Sequence, residues 1–118
     1  MDDRFELVVL SLLADGPKYG YLLTKEAKAR TDGALRLTPG VLYPLLQELE
    51  TSGLITGSWE EVRAASRDDG SGAGRKRKWY KISPKGRKRL ARRVDAHRAY
   101  TAMMNAFLGT RANSEHPA

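Results

Sequence analysis

Residues 38–55 read TPGVLYPLLQELETSGLI, and they carry the clearest helix signal in this chain of 118 residues. Thr38 is a favoured N-cap residue, Pro39 suits the first position of a helix, and Gly53 suits the turn that follows one. Leucines at helical spacing predict the buried stripe of a helix that ends near Thr51: Leu42, Leu45, Leu46 and Leu49. The opposite face of this helix is left free to contact something outside the protein.

Two further helices are predicted before this stretch. Residues 5–14 are apolar on nearly every side, which indicates a helix covered by other protein, and a turn at residues 15–17 ends it. Between Tyr19 and Arg30 apolar residues recur at helical spacing, with Tyr19 as the first of them, and they predict a second, amphipathic helix. A turn at residues 31–33 then leads toward the third helix.

After the third helix the pattern changes to that of strands. Residues 54–61 and 77–82 mix β-branched or aromatic residues with polar ones. They predict a two-stranded hairpin whose long, flexible tip spans residues 64–74. Ser83 and Pro84 begin a final helix, which is expected to run to about Leu108.

The order helix, helix, helix, strand, strand, helix is that of a winged helix-turn-helix, in which the third helix can enter a DNA major groove. The predicted fold is therefore mainly α with a small β-hairpin wing, followed by a C-terminal dimerisation helix. We divide the chain into a DNA-binding domain at residues 1–83, a dimerisation helix at residues 84–108 and a disordered tail at residues 109–118.

Basic residues are concentrated in the second half of the chain. The net charge is +7, but residues 1–62 hold six Lys or Arg against ten Asp or Glu, whereas residues 63–118 hold fifteen against four. Residues 75–93 alone contain eleven Lys or Arg and no acidic residue. Such a strip is expected where a protein meets a polyphosphate, and the alternative is a solvated charged face.

Three local features favour the binding alternative. Pro44 lies inside the third helix, where it leaves the carbonyl of Gly40 without its donor, and Gly40 lets the backbone approach an external surface. Tyr21 and Tyr43 lie off the apolar stripes of their helices, where each could contact DNA or pack back onto a neighbour. Three cations crowd the start of the last helix, where the helix macrodipole disfavours positive charge: Lys85, Arg87 and Lys88.

Other classes of protein are disfavoured. The chain has no cysteine, and two histidines, His97 and His116, are too few for a metal cluster. No Gly-rich phosphate loop and no convincing Ser, His and Asp spacing supports catalysis, so we expect neither an enzyme nor a cofactor. The acidic residues and short apolar run near the N-terminus fit neither a signal peptide nor a membrane span, so a cytoplasmic protein is expected.

Residues 38–55 closely resemble the recognition-helix signature of PadR-like transcriptional regulators. Residues 16–21, GPKYGY, resemble that family's opening of the second helix, and residues 77–87, RKWYKISPKGR, resemble its wing strand and the start of its last helix. The resemblance covers roughly residues 5–90 and fits the short form with a single C-terminal helix. It implies a homodimer that binds double-stranded DNA, represses a nearby gene and is released by a small hydrophobic or phenolic effector.

Three groups of residues are singled out. DNA contacts are expected from the second and third helices and the basic wing: Tyr21, Lys25, Thr38, Pro39, Gly40, Tyr43, Arg75, Lys76, Arg77 and Lys78. A dimer interface is expected from the first and last helices: Phe5, Val8, Val9, Leu12, Leu90, Val94, His97, Thr101, Met104 and Leu108. Further side chains of the last helix could form an effector slot or simply a packed core: His97, Tyr100, Met103, Met104 and Phe107.

The sequence leaves open two alternatives to a sequence-specific regulator. A sequence-indifferent nucleic-acid binder would be held by the basic strip alone. A protein-interaction adaptor would keep the winged-helix scaffold and dock an acidic partner on the same strip. Comparing the affinity for the protein's own upstream DNA with that for random DNA separates specific from sequence-indifferent binding, and failure to bind any DNA would favour the adaptor.

Overall fold

The computed structural model describes residues 3–62 and 75–114, and the predicted tip at residues 64–74 lies outside this part. The elements are α1 (Asp3–Ala14), β1 (Lys18–Tyr19), α2 (Gly20–Arg30), α3 (Pro39–Thr51), β2 (Ile55–Val62), β3 (Arg75–Ile82) and α4 (Pro84–Ser114). The strands form an antiparallel sheet in the order β1-β3-β2. The predicted fold class is confirmed, with one strand, β1, added to the predicted order.

The core is built around α3, as its leucine pattern predicts. All four leucines of the predicted stripe are buried, and they pack against buried side chains from α1, α2, β2 and β3. A Schellman motif ends the helix: Gly53 adopts a φ of 78°, and the N–H of Leu54 donates to the carbonyl of Leu49 at 2.9 Å. Thr38 occupies the predicted N-cap position, but its side chain makes no capping hydrogen bond.

A short strand that the sequence analysis missed joins α2 to the sheet. Lys18 and Tyr19 form β1 and pair with Tyr80 and Trp79 of β3, so the placement of Tyr19 on the apolar stripe of the second helix is wrong. A two-residue strand is too short to show an alternating pattern. Lys18 is buried, and its ammonium group lies 3.4 Å from the carboxylate of Glu26, which ties β1 to α2.

The last helix is longer than predicted. It continues to Ser114, so the prediction of disorder is wrong for residues 109–114, while residues 115–118 lie outside the described part. The helix passes through Gly109, which does not adopt a positive φ, and a single glycine weakens a helix by only about 1 kcal/mol. Although α4 spans 31 residues, neither it nor any other helix in the described ranges is long and apolar enough to cross a membrane.

The start of α4 is bonded to the end of α3. Ser83 caps α4, because the N–H of Gly86 donates to Ser83 Oγ at 3.0 Å, and the same hydroxyl donates to the carbonyl of Gly53 at 2.6 Å. The N–H of Ser83 donates to the carbonyl of Leu54 at 3.0 Å. Leu54 passes so close to Gly86 that a Cβ there would overlap the Leu54 carbonyl oxygen. Glycine is therefore the residue that fits this junction without a shift of the backbone.

A buried carboxylate fastens α1 to α4. Glu6 is 8% exposed, and its carboxylate accepts hydrogen bonds from Arg89 Nε at 2.8 Å and from Arg93 Nε at 3.1 Å. A buried carboxylate needs such charged partners to offset its loss of hydration. Two arginines of the basic strip are therefore engaged within the chain, where they join α4 to α1.

Candidate nucleic-acid interface

A cleft of about 950 Å³ opens between the starts of α2 and α3 on one side and the hairpin of β2 and β3, which we call the wing, on the other. Aromatic and cationic side chains line it together with Gly20: Tyr19, Tyr21, Tyr43, Trp59, Tyr80, Lys76, Arg77 and Lys78. Five of these residues were predicted to contact DNA from their sequence positions alone. The fold brings them together at one surface.

The first turn of α3 projects freely from the protein. Thr38, Pro39 and Gly40 are exposed, and a Cβ added to Gly40 would meet nothing within 4 Å. Thr24 Oγ1 of α2 donates to the carbonyl of Leu37 at 3.1 Å, which holds the segment just before this turn. Neither α2 nor α3 carries an acidic residue in its first turn, so the positive ends of both helix dipoles are left to an external anion.

The two tyrosines off the apolar stripes are both exposed, Tyr21 at 66% and Tyr43 at 49%. Tyr43 also packs on α2, because a Cβ at Gly20 would overlap its hydroxyl group. Tyr43 therefore packs on a neighbour, as one of the two alternatives predicts, and its contact with DNA stays a prediction. Lys25 of α2 is exposed as well.

Arg77 is a cation stacked on an aromatic ring. Its guanidinium carbon lies 4.2 Å from the centre of the Tyr19 ring. Tyr19 meets Trp79 edge to face, with ring centres 4.9 Å apart, and Trp79 Nε1 donates to Glu60 Oε1 at 2.6 Å. A guanidinium held over an aromatic ring keeps N–H groups that can donate to an anionic oxygen, so this contact is compatible with the predicted role of Arg77 as a phosphate ligand.

Lys78 is a cation that already has a partner. Its Nζ donates to Glu50 Oε1 of α3 at 2.9 Å, and this hydrogen bond raises the pKa of Lys78 above its ordinary value. The Nζ also lies 5.6 Å from the centre of the Trp59 ring and 5.4 Å from that of Tyr80. Lys78, predicted as a phosphate ligand, is therefore engaged within its own chain.

The basic strip at residues 75–93 divides into engaged and exposed cations. Lys85 Nζ donates to the carbonyl of Ser52 at 2.8 Å, so a cation at the start of α4 neutralises the negative end of α3. Arg75 belongs to β3, and its side chain lies outside the described part. Lys85 is nevertheless exposed, and so are five further cations of the strip: Lys76, Lys81, Arg87, Lys88 and Arg92.

The residues predicted for a dimer interface separate into core and surface. Val9 and Leu12 are 0% and 2% exposed, so their assignment is wrong, because packing inside the chain leaves them no surface for a partner. The other eight are exposed or half-buried: Phe5, Val8, Leu90, Val94, His97, Thr101, Met104 and Leu108. A groove of about 700 Å³ between α1 and α4 is lined partly by Phe5, Val8 and His97.

The residues predicted for an effector slot lie along the middle and second half of α4. Met104 is half-buried, and the other four are exposed: His97, Tyr100, Met103 and Phe107. Large apolar side chains exposed at this density are typical of surfaces that contact another molecule.

Trp59 is a candidate DNA contact that the sequence analysis missed. Its ring is 64% exposed and lines the cleft. Lying between Ser58 and Glu60, it has the alternation of a half-buried strand, which predicts burial rather than exposure. Only the extension of the wing beyond the core, which is a tertiary feature, leaves the ring in solvent.

Tyr80 gives this region a pH dependence. Burial raises the pKa of its phenol, so the unfolded chain loses the phenolic proton at a lower pH than the folded chain does. The free energy of unfolding is therefore expected to fall as the pH rises above about 10, and to fall less steeply in Tyr80→Phe. Urea unfolding of both proteins from about pH 8 to 11 measures the two slopes.

In Tyr80→Phe the free energy of unfolding should still fall somewhat as the pH rises, because the raised pKa of Lys78 also makes the unfolded chain lose its proton first. Equal slopes in the two proteins would contradict a role for the buried phenol.

Comparison with known proteins gives a consistent set of relatives. A family model described as the transcriptional regulator PadR-like family matches residues 9–92. A transcriptional regulator of known structure from Clostridium thermocellum is 25% identical, with a TM-score of 0.73 and coverage of 86% of this chain and 87% of that chain. A PadR family transcription regulator from Clostridium difficile is 26% identical, with a TM-score of 0.66 and coverage of 87% and 96%. A protein of Lysinibacillus sphaericus with no described function is 25% identical over 105 residues, 89% of this chain and 88% of that protein.

Proposed function

The chain belongs to the PadR-like family of transcriptional regulators, and from this premise we propose that it binds DNA as a homodimer and represses transcription. Its family and structural neighbours are transcription regulators, not enzymes. A two-fold dimer presents the same surface twice, so the proposed DNA site is a pseudo-palindrome. Residues 1–83 are proposed to bind DNA, and residues 84–108 to form the dimerisation helix.

The observation that carries the proposal is the free first turn of α3 beside a cleft with available cations. A helix start with open space at Gly40 can approach base edges in a major groove. The exposed Lys76 and the stacked Arg77 can then reach phosphates beside that groove. Base contacts specify a sequence and phosphate contacts fix the register, so we assign residues 38–43 to the bases and the wing to the backbone.

The proposed dimer covers the groove between α1 and α4. The exposed and half-buried residues of these helices supply apolar surface on both sides of a two-fold axis. Light scattering is the direct measurement, and a particle of twice the chain mass supports the dimer.

The exposed side chains of α4 also suit a ligand. Tyr100, Met103 and Phe107 offer aromatic and thioether surface, which adapts to planar apolar molecules. We place a hydrophobic or phenolic effector here, where its binding would alter the pairing of the two copies.

DNA from the region upstream of the protein's own gene provides the test. We expect a discrete site there to bind at least about 10³-fold more tightly than a shuffled duplex of equal length and composition at physiological salt. Footprinting is expected to protect two half-sites whose centres lie about 10 bp apart.

Equal affinity for the two duplexes would overturn sequence-specific regulation in favour of sequence-indifferent binding through the basic strip. Failure of correctly folded protein to bind either duplex would instead favour an adaptor that docks an acidic protein.

A further inference from the structure

Two basic residues of the wing, which look alike in the sequence, have different surroundings. Lys76 is exposed, whereas the side chain of Lys78 is only 24% exposed and its ammonium group lies 2.9 Å from the carboxylate of Glu50. Glu50 belongs to the last turn of α3, and Lys78 belongs to β3. The ion pair therefore bridges the wing and the helix that is proposed to read the bases.

We propose that Lys78 is a positioning residue and not a phosphate ligand: its ion pair with Glu50 holds the wing at a fixed angle to α3. The proposal rests on the DNA-binding function above and divides the cations of the wing into two roles. Lys76 and Arg77 bind phosphates, while Lys78 fixes the position of the wing that carries them.

Gly57 supplies independent support for this role. A Cβ at Gly57 in β2 would overlap Lys78 Cε and would lie 3.0 Å from Glu50 Oε2 and 3.3 Å from Lys78 Nζ. Any larger residue would push the lysine or the carboxylate aside. The sheet thus leaves space at this position for the pair to cross β2.

The rings around Lys78 extend its effect to the cleft. Trp59 is the cross-strand neighbour of Lys78, and its ring centre lies 5.6 Å from Lys78 Nζ, while Tyr80 flanks the same ammonium group at 5.4 Å. A cation held between two rings and a carboxylate has little freedom to turn outward. The pair therefore also locates the exposed ring of Trp59 on the wall of the cleft.

The charge of Glu50 separates this role from direct phosphate binding. If Lys78 turned to a phosphate, it would leave the Glu50 carboxylate uncompensated close to DNA, and like charges at that distance repel. Neutralising Glu50 would then tighten DNA binding. If the pair positions the wing, neutralising either partner weakens binding.

Three variants and their salt dependence test the proposal: Lys78→Met, Glu50→Gln and the control Lys76→Met. We expect Lys76→Met to lower the slope of log K against log salt by about 1, because a phosphate contact is lost. We expect Lys78→Met and Glu50→Gln each to weaken binding about tenfold at every salt concentration, with the wild-type slope. The double variant should lose no more than either single variant, because each change breaks the same pair.

The proposal is overturned if Lys78→Met lowers the slope by about 1, or if Glu50→Gln tightens binding. Failure of the wild type to bind any duplex is a different result, which refutes the proposed function itself. Circular dichroism and urea unfolding check that each variant is folded, so a loss of affinity is not assigned to unfolded protein.

A measurement without DNA reports on the pair directly. In a Trp79→Phe background Trp59 is the sole tryptophan. Adding Glu50→Gln is expected to change the emission and acrylamide quenching of Trp59 if the pair holds the wing. An unchanged Trp59 signal would contradict the proposed coupling.

Discussion

Replacing Gly86 with alanine is expected to lower the free energy of unfolding by about 3 kcal/mol. The added Cβ would overlap the carbonyl oxygen of Leu54 and lie 2.8 Å from Ile82 Cγ1. The Leu54 carbonyl cannot easily withdraw, because it accepts the N–H of Ser83, whose hydroxyl in turn bonds Gly53. The methyl group therefore strains the backbone that joins α3, β2 and α4. The atom it overlaps is a backbone oxygen, which cannot move aside as the end of a flexible side chain could.

Gly40→Ala is the matched control for this prediction. Gly40 also lies in the first turn of a helix, but a Cβ there meets nothing within 4 Å. Alanine should therefore be neutral or stabilise the chain by up to about 1 kcal/mol. Urea denaturation compares the two variants at equal protein concentration, and equal midpoints would contradict the crowding at Gly86.

Gly40→Glu is expected to weaken specific DNA binding about 100-fold or more while leaving the fold intact or more stable. A carboxylate in the first turn of α3 complements the helix dipole, which contributes about 0.3–1 kcal/mol, and that turn has no acidic residue of its own. On the DNA, the same charge faces phosphates, and like-charge contacts at an interface cost several kcal/mol. Stability and binding should therefore change in opposite directions.

Gly40→Gln separates the charge of the new side chain from its size. It has the shape of glutamate without the charge, so any loss that it shares with Gly40→Glu comes from bulk against the groove. Fluorescence anisotropy with the specific duplex and a shuffled duplex measures both effects, and thermal unfolding checks the fold. Full affinity in Gly40→Glu would place the first turn of α3 away from DNA.

The features of the fold that depend on local pattern were predictable from the sequence. The leucine stripe of α3, the turn at Gly53 and the order of the helices and the hairpin follow from spacing and turn chemistry, and the structure confirms them. The exposure of the first turn of α3 and of Tyr21 also agrees with the wheel positions of these residues.

The features that depend on contacts between distant residues were not predictable. Glu50 and Lys78 are 28 positions apart in the sequence, and Glu6 and Arg89 are 83 apart, so no local charge pattern predicts either ion pair. For the same reason the basic strip looked uniform, although Lys85 serves the end of α3. The spacing of apolar residues in α1 likewise could not separate residues that face the core of the same chain from residues that face a partner. For this reason Val9 and Leu12 were misassigned.

The ion pairs of Glu6 fasten α4 near one end, so a small rotation there would produce a large displacement at the other end. With 31 residues and a rise of about 1.5 Å per residue, α4 is about 46 Å long, and Arg89 and Arg93 fasten it near one end. If α4 rotated by a few degrees about its contact with Glu6, its C-terminal end would move several times farther than the residues beside the carboxylate. In the proposed dimer, such a rotation would change the separation of the two proposed DNA-binding surfaces, and with it their match to the spacing of the half-sites.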